Sequence, residues 1–139
     1  GGGLVTSGGG VWLWLPPVGP GSAVATTPVG LGSVRLCGYP AWVDLAQGTR
    51  RLVDGAANVH HIPVTEGDGS SVNQRIVSCA AAMRDHGSPV DLIAVEGSDQ
   101  TVILVEGHTR ATAYASLMPA FPLVILLGSS PRSSEWVWY

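Results

Sequence analysis

The sequence predicts an α+β protein in which a small mixed β-sheet is packed against helices. Short apolar runs typical of strands alternate with two segments of helical periodicity in the second half of the chain. Clusters of Gly, Pro and Ser separate these segments, and residues 1–40 are so rich in Gly and Pro that short strands and loops are expected there. The length of 139 residues predicts one domain, 1–139, large enough to bury a core.

The composition limits the classes of partner. Hydrophobic residues make up 45% and charged residues 12% of the chain, and a charged fraction of roughly 25% is usual. The net charge is −3, and all seven basic residues are Arg. An acidic chain without a basic run is a poor nucleic-acid binder, because such binding needs several phosphate contacts. The low charge favours a large binding surface or a homodimer interface.

The sequence also predicts a cytoplasmic protein with no membrane partner. No apolar run approaches the length of about 18 residues that a membrane span needs. The apolar stretch VWLWLPPV at 11–18 has no positively charged segment before it, so a signal peptide is not expected. Cys37 and Cys79 lie far apart and outside any CxxC motif, which favours two buried thiols and leaves a disulfide open.

The Gly/Pro-rich segment and the residues after it contain weak element signals. Alternation within Val11–Leu15 predicts a strand with Trp12 and Trp14 on one face. Ser33–Cys37 is predicted as a second short strand, and 41–58 as a helical turn, a loop and another turn.

Trp136 and Trp138 near the C-terminus repeat the alternation of the N-terminal tryptophans. Three arrangements remain open for these two ends. They could pair as edge strands, pack at a subunit contact, or simply pack against the core.

The second zone is better organised. Apolar residues at helical spacing predict a helix over Ser71–His86, ended by Gly87 and Pro89. Pro119 ends a second helix that opens at Gly107 or His108 and runs to Met118. The other predicted elements are strands at His60–Val64, Val90–Val95, Thr101–Val105 and Phe121–Leu127, with a tight turn at Gly97–Gln100.

The strand-to-helix junction contains Glu106, Gly107, His108, Thr109 and Arg110. A helix N-terminus attracts anions through its unpaired N–H groups and its dipole, and Gly permits close backbone approach. Arg can grip a phosphate with two N–H groups, His can donate to it or transfer a proton, and Glu can act as a base or bind Mg²⁺. The junction therefore predicts a phosphate site. A structural alternative also remains, with Gly107 as a turn residue, His108 and Thr109 as helix caps, and Arg110 as an exposed cation.

The passage from Asn73 to Leu127, within a best-matched core of 59–128, resembles the ParB/sulfiredoxin superfamily domain. The shared features are a helix, a Gly-x-Pro turn, two strands, an acidic-Gly-x-x-Arg junction, a helix and a closing strand. The resemblance implies a fold of that family, with nucleotide phosphates held at the junction and the following helix N-terminus. It also implies that the preceding helix lines the pocket, so that Arg75 is a candidate ligand residue.

The departures from the family narrow the expected chemistry. Sulfiredoxins carry a catalytic Cys where this chain has His108, so sulfinate reduction is not expected. Partitioning members have a more basic junction and a longer chain, so a partitioning role is not expected. The acidic charge balance argues against a ParB-like nuclease. The junction is most similar to the acidic-Gly-His-His-Arg motif of ParB-like free-serine kinases, with Thr109 in place of the second His. That similarity implies that Gly107, His108 and Arg110 hold the phosphates while a carboxylate activates an acceptor hydroxyl.

The identity of the activating carboxylate remains open among Glu106, Glu96 and Glu66. His60 and His61 lie near two acidic residues, but adjacent residues of a strand point to opposite faces, so no metal site is assigned there. Arg50 and Arg51 are expected to be an exposed pair.

Together these observations predict a nucleotide-binding protein. ATP or ADP is the expected ligand, with Mg²⁺ as a candidate ion and a phosphotransferase or NTPase reaction on a small molecule as the candidate activity. The candidate catalytic residues are Glu106 and His108, and the candidate nucleotide-binding residues are Gly107, His108, Thr109, Arg110 and Arg75. The alternative of a different class is a non-catalytic protein-binding or assembly module that uses its Trp-rich termini.

Overall fold

The structure, a computed structural model, describes residues 3–6, 12–15, 22–26, 28–87, 92–97 and 101–139. These residues form seven strands, four α-helices and two short 3-10 helices at Pro28–Ser33 and Ser133–Glu135. In chain order the strands and α-helices are β1 (Gly3–Thr6), β2 (Trp12–Leu15), β3 (Ser22–Thr26), β4 (Val34–Arg35), α1 (Pro40–Leu45), α2 (Leu52–Asn58), α3 (Val72–His86), β5 (Ile93–Glu96), β6 (Val102–Glu106), α4 (His108–Leu117) and β7 (Leu123–Gly128).

Five of the described strands form one mixed sheet in the order β3-β7-β5-β6-β4. Strand β5 is antiparallel to β6 and parallel to β7, while β4 is parallel to β6 and β3 is antiparallel to β7. Strands β1 and β2 pair with each other in a separate antiparallel pair. The predicted combination of helices with a small mixed sheet is therefore confirmed.

The core lies between the helices and the central strands. Helix α3 packs against α4, and α2 also packs against α4. Helix α3 buries four residues at helical spacing: Val72, Ile76, Ala80 and Met83. Val77 lies off that stripe and is exposed. Strand β6 buries Ile103, Leu104 and Val105 in succession, so both of its faces are covered.

Local signals at the ends of α3 agree with the predicted helix. The side chain of Ser71 accepts a hydrogen bond from the backbone N–H of Gln74 at 3.1 Å, which caps the first turn. Gly87 ends the helix with a φ of 82°, a conformation that favours glycine. With 15 residues, α3 is the longest of the described helices.

None of the described helices is both long enough and apolar enough to cross a membrane.

The predicted strand His60–Val64 is wrong. Residues 59–64 form turns and irregular backbone that is bonded to the side chain of Asn73. The Nδ2 group of Asn73 donates to the carbonyls of Val59 and Ile62 at 2.7 and 2.8 Å, and its Oδ1 accepts from the N–H of Val64 at 2.8 Å. Because one amide satisfies three backbone groups, this segment is held against α3 as a loop.

Residues 41–58 contain the two predicted helical pieces as α1 and α2, but the prediction for Arg50 is wrong. Arg50 is half-buried and has a φ of 59°. Its side chain donates to the carbonyls of Leu36 and Trp138 at 3.3 and 3.2 Å, whereas Arg51 is exposed as expected. Arg50 thus joins the end of β4 to the C-terminal residues.

The first of the three arrangements left open for the Trp-rich ends, pairing as edge strands, is not observed. Strand β2 pairs with β1, and residues 129–139 contain turns and a 3-10 helix but no strand. Trp136 is buried and Trp138 is half-buried, with its ring edge-on to Tyr39 at 5.4 Å. Packing against the core therefore accounts for these two residues.

The remaining predicted strands are observed with small shifts of their ends. The predicted strand Ser33–Cys37 shortens to Val34–Arg35, and the predicted strand Phe121–Leu127 becomes Leu123–Gly128. Thr101–Val105 shifts by one residue at each end. The predictions for Val11, 88–91 and 98–100 lie outside the described residues.

Candidate functional site

The candidate site begins where β6 ends and α4 starts, with Gly107 between them. Gly107 is the N-cap residue of α4 and has a φ of 92° and a ψ of 24°, the left-handed region that favours glycine. A Cβ atom added to Gly107 would also collide with Cδ2 of Leu92. The turn conformation and the packing of Leu92 therefore both require glycine at this position.

The side chain of His108 lies in the core, which differs from its expected role at the phosphate. Its Nε2 accepts a hydrogen bond from the backbone N–H of Cys37 at 3.2 Å, and its ring also hydrogen-bonds to the backbone of Leu104. The imidazole stacks on Trp42 with ring centroids 5.1 Å apart. Burial lowers the pKa of His108 to about 3, against the opposing effect of the Leu104 hydrogen bond.

These contacts define the chemical state of His108. Because Nε2 accepts a hydrogen bond, the ring is neutral and its proton is on the other nitrogen, directed to the Leu104 backbone. A neutral ring with both nitrogens bonded inside the protein has no free group for a phosphate or for proton transfer near neutral pH. The contribution of residue 108 to an anion site is then its backbone N–H.

The N-cap residue of α4 is Gly107, which has no side chain to cap the helix. In the structural alternative His108 caps this helix, but its ring is bonded in the core instead. Thr109 is half-exposed. The N–H of Gly107 donates to Oε1 of Glu106 at 3.1 Å. The first N–H groups of any α-helix lack the intrahelical acceptor that later residues have. This end of a ten-residue helix has the polarity that favours an anion.

Arg110 lies on the first turn of α4, beside Glu106 and near α3. Its Nη2 is 3.8 Å from Oε1 of Glu106, and both side chains are partly exposed. Burial raises the pKa of the Cys79 thiol, and the positive charge of Arg110 opposes that rise. Arg110 is thus close enough to α3 to act on Cys79.

Arg75 is one helical turn before Cys79, so both side chains are on the same side of α3. The Nη2 of Arg75 forms an ion pair with Oε1 of Glu66 at 2.9 Å. The hydroxyl of Tyr39 donates to Oε2 of the same carboxylate at 3.2 Å. Arg75 and Arg110 therefore lie on two helices that pack together, each beside a glutamate.

The strand register separates the three candidate carboxylates. Glu96 is opposite Val102, at the start of β6, while Glu106 is at the end of that strand, four residues away. With a rise of about 3.4 Å per residue, Glu96 lies more than about 13 Å along the sheet from the junction. Glu106 and Glu66 are therefore the carboxylates beside the two arginines.

The loop after β4 completes the surroundings of the junction. Strands β4 and β6 are parallel neighbours, so their carboxyl ends meet at the same edge of the sheet. Ligands of open α/β sheets commonly bind outside such carboxyl ends. Cys37 and Tyr39 follow β4 at this edge, and burial raises the pKa of the Cys37 thiol to about 11. Tyr39 and its contact to Glu66 were not found from the sequence, although Pro40 marks the helix start beside it.

Three cavities lined by described residues lie elsewhere. The largest, about 480 Å³, contains His60, His61 and Gln74, and a second of about 280 Å³ contains Glu96. A third, about 310 Å³, contains Met118 at the end of α4. None of these three cavities includes residues 106–110. Within the described ranges no group of three or more His, Cys, Asp or Glu residues is arranged to hold a metal ion.

Comparison of the chain with protein-family models, curated proteins and solved structures finds no match. The resemblance to the ParB/sulfiredoxin superfamily therefore stays a prediction from the sequence.

Proposed function

We propose that the protein binds the phosphate groups of a nucleotide, ATP or ADP, at the junction of β6 and α4. The observation that carries this proposal is the N-terminus of α4, which begins after a glycine N-cap and has Arg110 on its first turn beside Glu106. Backbone N–H groups and the helix dipole favour an anion at this position, and a guanidinium adds a bidentate grip. In this proposal the backbone of residues 108–110 cradles the phosphate.

Arg75 provides the second positive charge of the proposed site. It lies on α3, one turn before Cys79, whose pKa responds to the charge of Arg110. Two guanidinium groups on facing helices suit a ligand with more than one phosphate group, because each can contact different oxygens. The hydroxyl of Thr109, half-exposed on the first turn of α4, is a further candidate donor.

The proposed activity is a phosphotransferase or NTPase reaction on a small molecule, in a fold of the ParB/sulfiredoxin type. Glu106 is the candidate catalytic carboxylate, because it lies beside Arg110 at the strand end. Mg²⁺ is usually held by one or two carboxylates together with substrate phosphates, and Glu106 and Glu66 are the groups present for that role. The cytoplasmic location and the homodimer predicted from the sequence belong to the same proposal.

A non-catalytic binding module is the second candidate, and the position of His108 favours it. A buried neutral imidazole supplies no proton donor or acceptor to a bound nucleotide. Val137, between the two C-terminal tryptophans, is exposed and could contact a protein partner, whereas Trp136 is used in the core. ATP hydrolysis by the wild type that Glu106→Gln abolishes would support the enzyme, and nucleotide binding without turnover would support the module.

Thermal unfolding with ATP or ADP, with and without Mg²⁺, tests the binding proposal. A ligand at about 100 times its dissociation constant adds roughly 2.7 kcal/mol of stability and raises the melting temperature. Arg110→Ala is expected to lose most of that rise. Arg84→Ala removes the same charge from an exposed position near the end of α3 and is expected to keep it. No rise with any nucleotide, or an equal rise in both variants, contradicts the proposal.

A further inference from the structure

The guanidinium of Arg75 is only partly used in the protein. Its Nη2 donates to Oε1 of Glu66 at 2.9 Å. Its Nε is buried and has no hydrogen-bond partner among the described residues. An arginine presents its N–H groups as a planar fork that can hold two oxygens of one anion, and an unpaired buried donor is unfavourable.

Glu66 contacts only one arm of this fork because its other oxygen is bonded elsewhere. The hydroxyl of Tyr39 donates to Oε2 of Glu66 at 3.2 Å, which directs that oxygen away from Arg75. The ring of Tyr39 is in turn held edge-on by Trp138 at 5.4 Å. Trp138 is fixed by its carbonyl, which accepts from the N–H of Gly38 and from Arg50.

A carboxylate thus sits where an anionic ligand of Arg75 would bind. We propose that Glu66 is an internal counter-ion, which occupies Arg75 in the ligand-free protein and is replaced there by a phosphate oxygen of the ligand. This inference depends on the proposed phosphate site and adds a competitor that lowers its affinity. A phosphate group can contact both Nε and Nη2, whereas Glu66 contacts Nη2 alone and leaves Nε without an acceptor.

The charges around the two arginines explain why Glu66 lowers the affinity of the site for an anion. Arg75 is paired with Glu66 and Arg110 with Glu106, so the two cations are already compensated. An anion entering this site meets a carboxylate beside each guanidinium, and the repulsion falls only when a carboxylate moves aside. Neutralising Glu66 therefore strengthens anion binding, whereas an anion site that needed Glu66 to orient Arg75 would be weakened.

Calorimetric titration with inorganic pyrophosphate in magnesium-free buffer tests this inference. Glu66→Gln keeps the length of the side chain and an oxygen for Tyr39 while removing the charge. Because a partly exposed ion pair contributes little, the variant is expected to bind pyrophosphate about threefold to fivefold more tightly. An unchanged or weaker affinity overturns the counter-ion role.

Asp68→Asn is the matched control. Asp68 is exposed and acts on Arg75 only at a distance, and its Oδ1 accepts from the N–H and hydroxyl of Ser70. The control has the same charge change near the same arginine without the contact, so its pyrophosphate affinity is expected to stay within about twofold of the wild type. A gain equal to that of Glu66→Gln would mean that net charge, not the contact, controls binding, and it would overturn the inference.

A double-mutant cycle with Arg75→Gln shows whether the gain acts through Arg75. Glu66→Gln is expected to have no effect on pyrophosphate affinity in the Arg75→Gln background, because the competing pair no longer exists. If Glu66→Gln does not fold, as judged by circular dichroism, Glu66→Ala replaces it with the same expectation.

The outcomes also separate this inference from the proposed function. If pyrophosphate binding is weakened by Arg110→Ala but its affinity is unchanged by Glu66→Gln, only the counter-ion role is overturned. No binding to the wild type or to any variant overturns the phosphate site and the inference together.

Discussion

The backbone N–H of Cys37 donates a hydrogen bond to Nε2 of His108 across 71 positions of the chain, at 3.2 Å. This bond joins the loop after β4 to the first residue of α4. It places a buried imidazole directly beneath the helix end that we propose as the phosphate site. The side chain of His108, which the sequence suggested for phosphate binding or proton transfer, therefore packs beneath the proposed site and does not contact the ligand.

Replacing His108 tests this structural role. His108→Phe retains a ring for Trp42 but removes the acceptor of the Cys37 N–H and the donor to Leu104. A buried group left without a partner costs about 1–3 kcal/mol, so we expect a loss of roughly 2–4 kcal/mol in the free energy of unfolding by urea. His86→Phe, at an exposed position on α3, is expected to change it by less than about 0.5 kcal/mol. Equal effects of the two substitutions would refute the buried role.

The stability of the protein should depend on pH through His108. Its pKa is about 3 in the folded protein against an ordinary value of 6.5, so the unfolded chain takes up a proton at a pH where the folded protein does not. The stabilisation is complete above pH 6.5 and is lost as the pH falls toward 3. One proton corresponds to about 1.4 kcal/mol per pH unit.

Urea unfolding between pH 7 and pH 5 measures this slope, since most carboxylates titrate at roughly pH 4. The wild type is expected to lose stability through this range, and His108→Phe to lose about one proton's worth less per pH unit. The same slope in both proteins would contradict the assignment.

Gly107→Ala separates two reasons for glycine at the junction. Gly107 and Gly48 both have positive φ, 92° and 83°, but only Gly107 would have a Cβ in collision with Leu92. We expect Gly48→Ala to cost about 1 kcal/mol for its backbone and Gly107→Ala about 2–4 kcal/mol, because overpacking is added. The pair Gly107→Ala with Leu92→Ala should show a compensating interaction in unfolding experiments. Strictly additive losses would exclude the steric part.

The two thiols should differ in reactivity. Burial raises the pKa of Cys37 to about 11, whereas Cys79 is only half-buried and the charge of Arg110 opposes the rise that burial causes in its pKa. Iodoacetamide at about pH 8 is expected to modify Cys79 first, because the thiolate is the reactive form. Pyrophosphate bound at Arg110 should slow that reaction by offsetting the positive charge. Mass spectrometry of the labelled peptides checks both points, and faster labelling of Cys37 would contradict them.

The local features of the junction were predictable from the sequence. A run of apolar residues, a glycine and then helical spacing identify β6, Gly107 and α4, because each signal lies within a few neighbouring residues. The buried stripe of α3 and its Ser71 cap follow from the same kind of pattern.

The direction of side chains across the fold was not predictable in this way. His108 points inward because Cys37 and Trp42, both distant in sequence, enclose its ring. Asn73 holds 59–64 as a loop through three side-chain hydrogen bonds, so the β-prone residues there form no strand. Arg50 is half-buried because Leu36 and Trp138 offer carbonyl acceptors. Such pairings appear only once the chain is folded.

The phosphate site itself is tested most directly by following backbone amides in NMR spectra during a pyrophosphate titration. The amide signals of His108, Thr109 and Arg110 are expected to show the largest saturable shifts, since their N–H groups would donate to the anion. In Arg110→Ala the shifts should require more pyrophosphate, while in Arg84→Ala they should match the wild type. Saturable shifts confined to other residues, or no saturable shift at 108–110, would contradict a phosphate site at the start of α4.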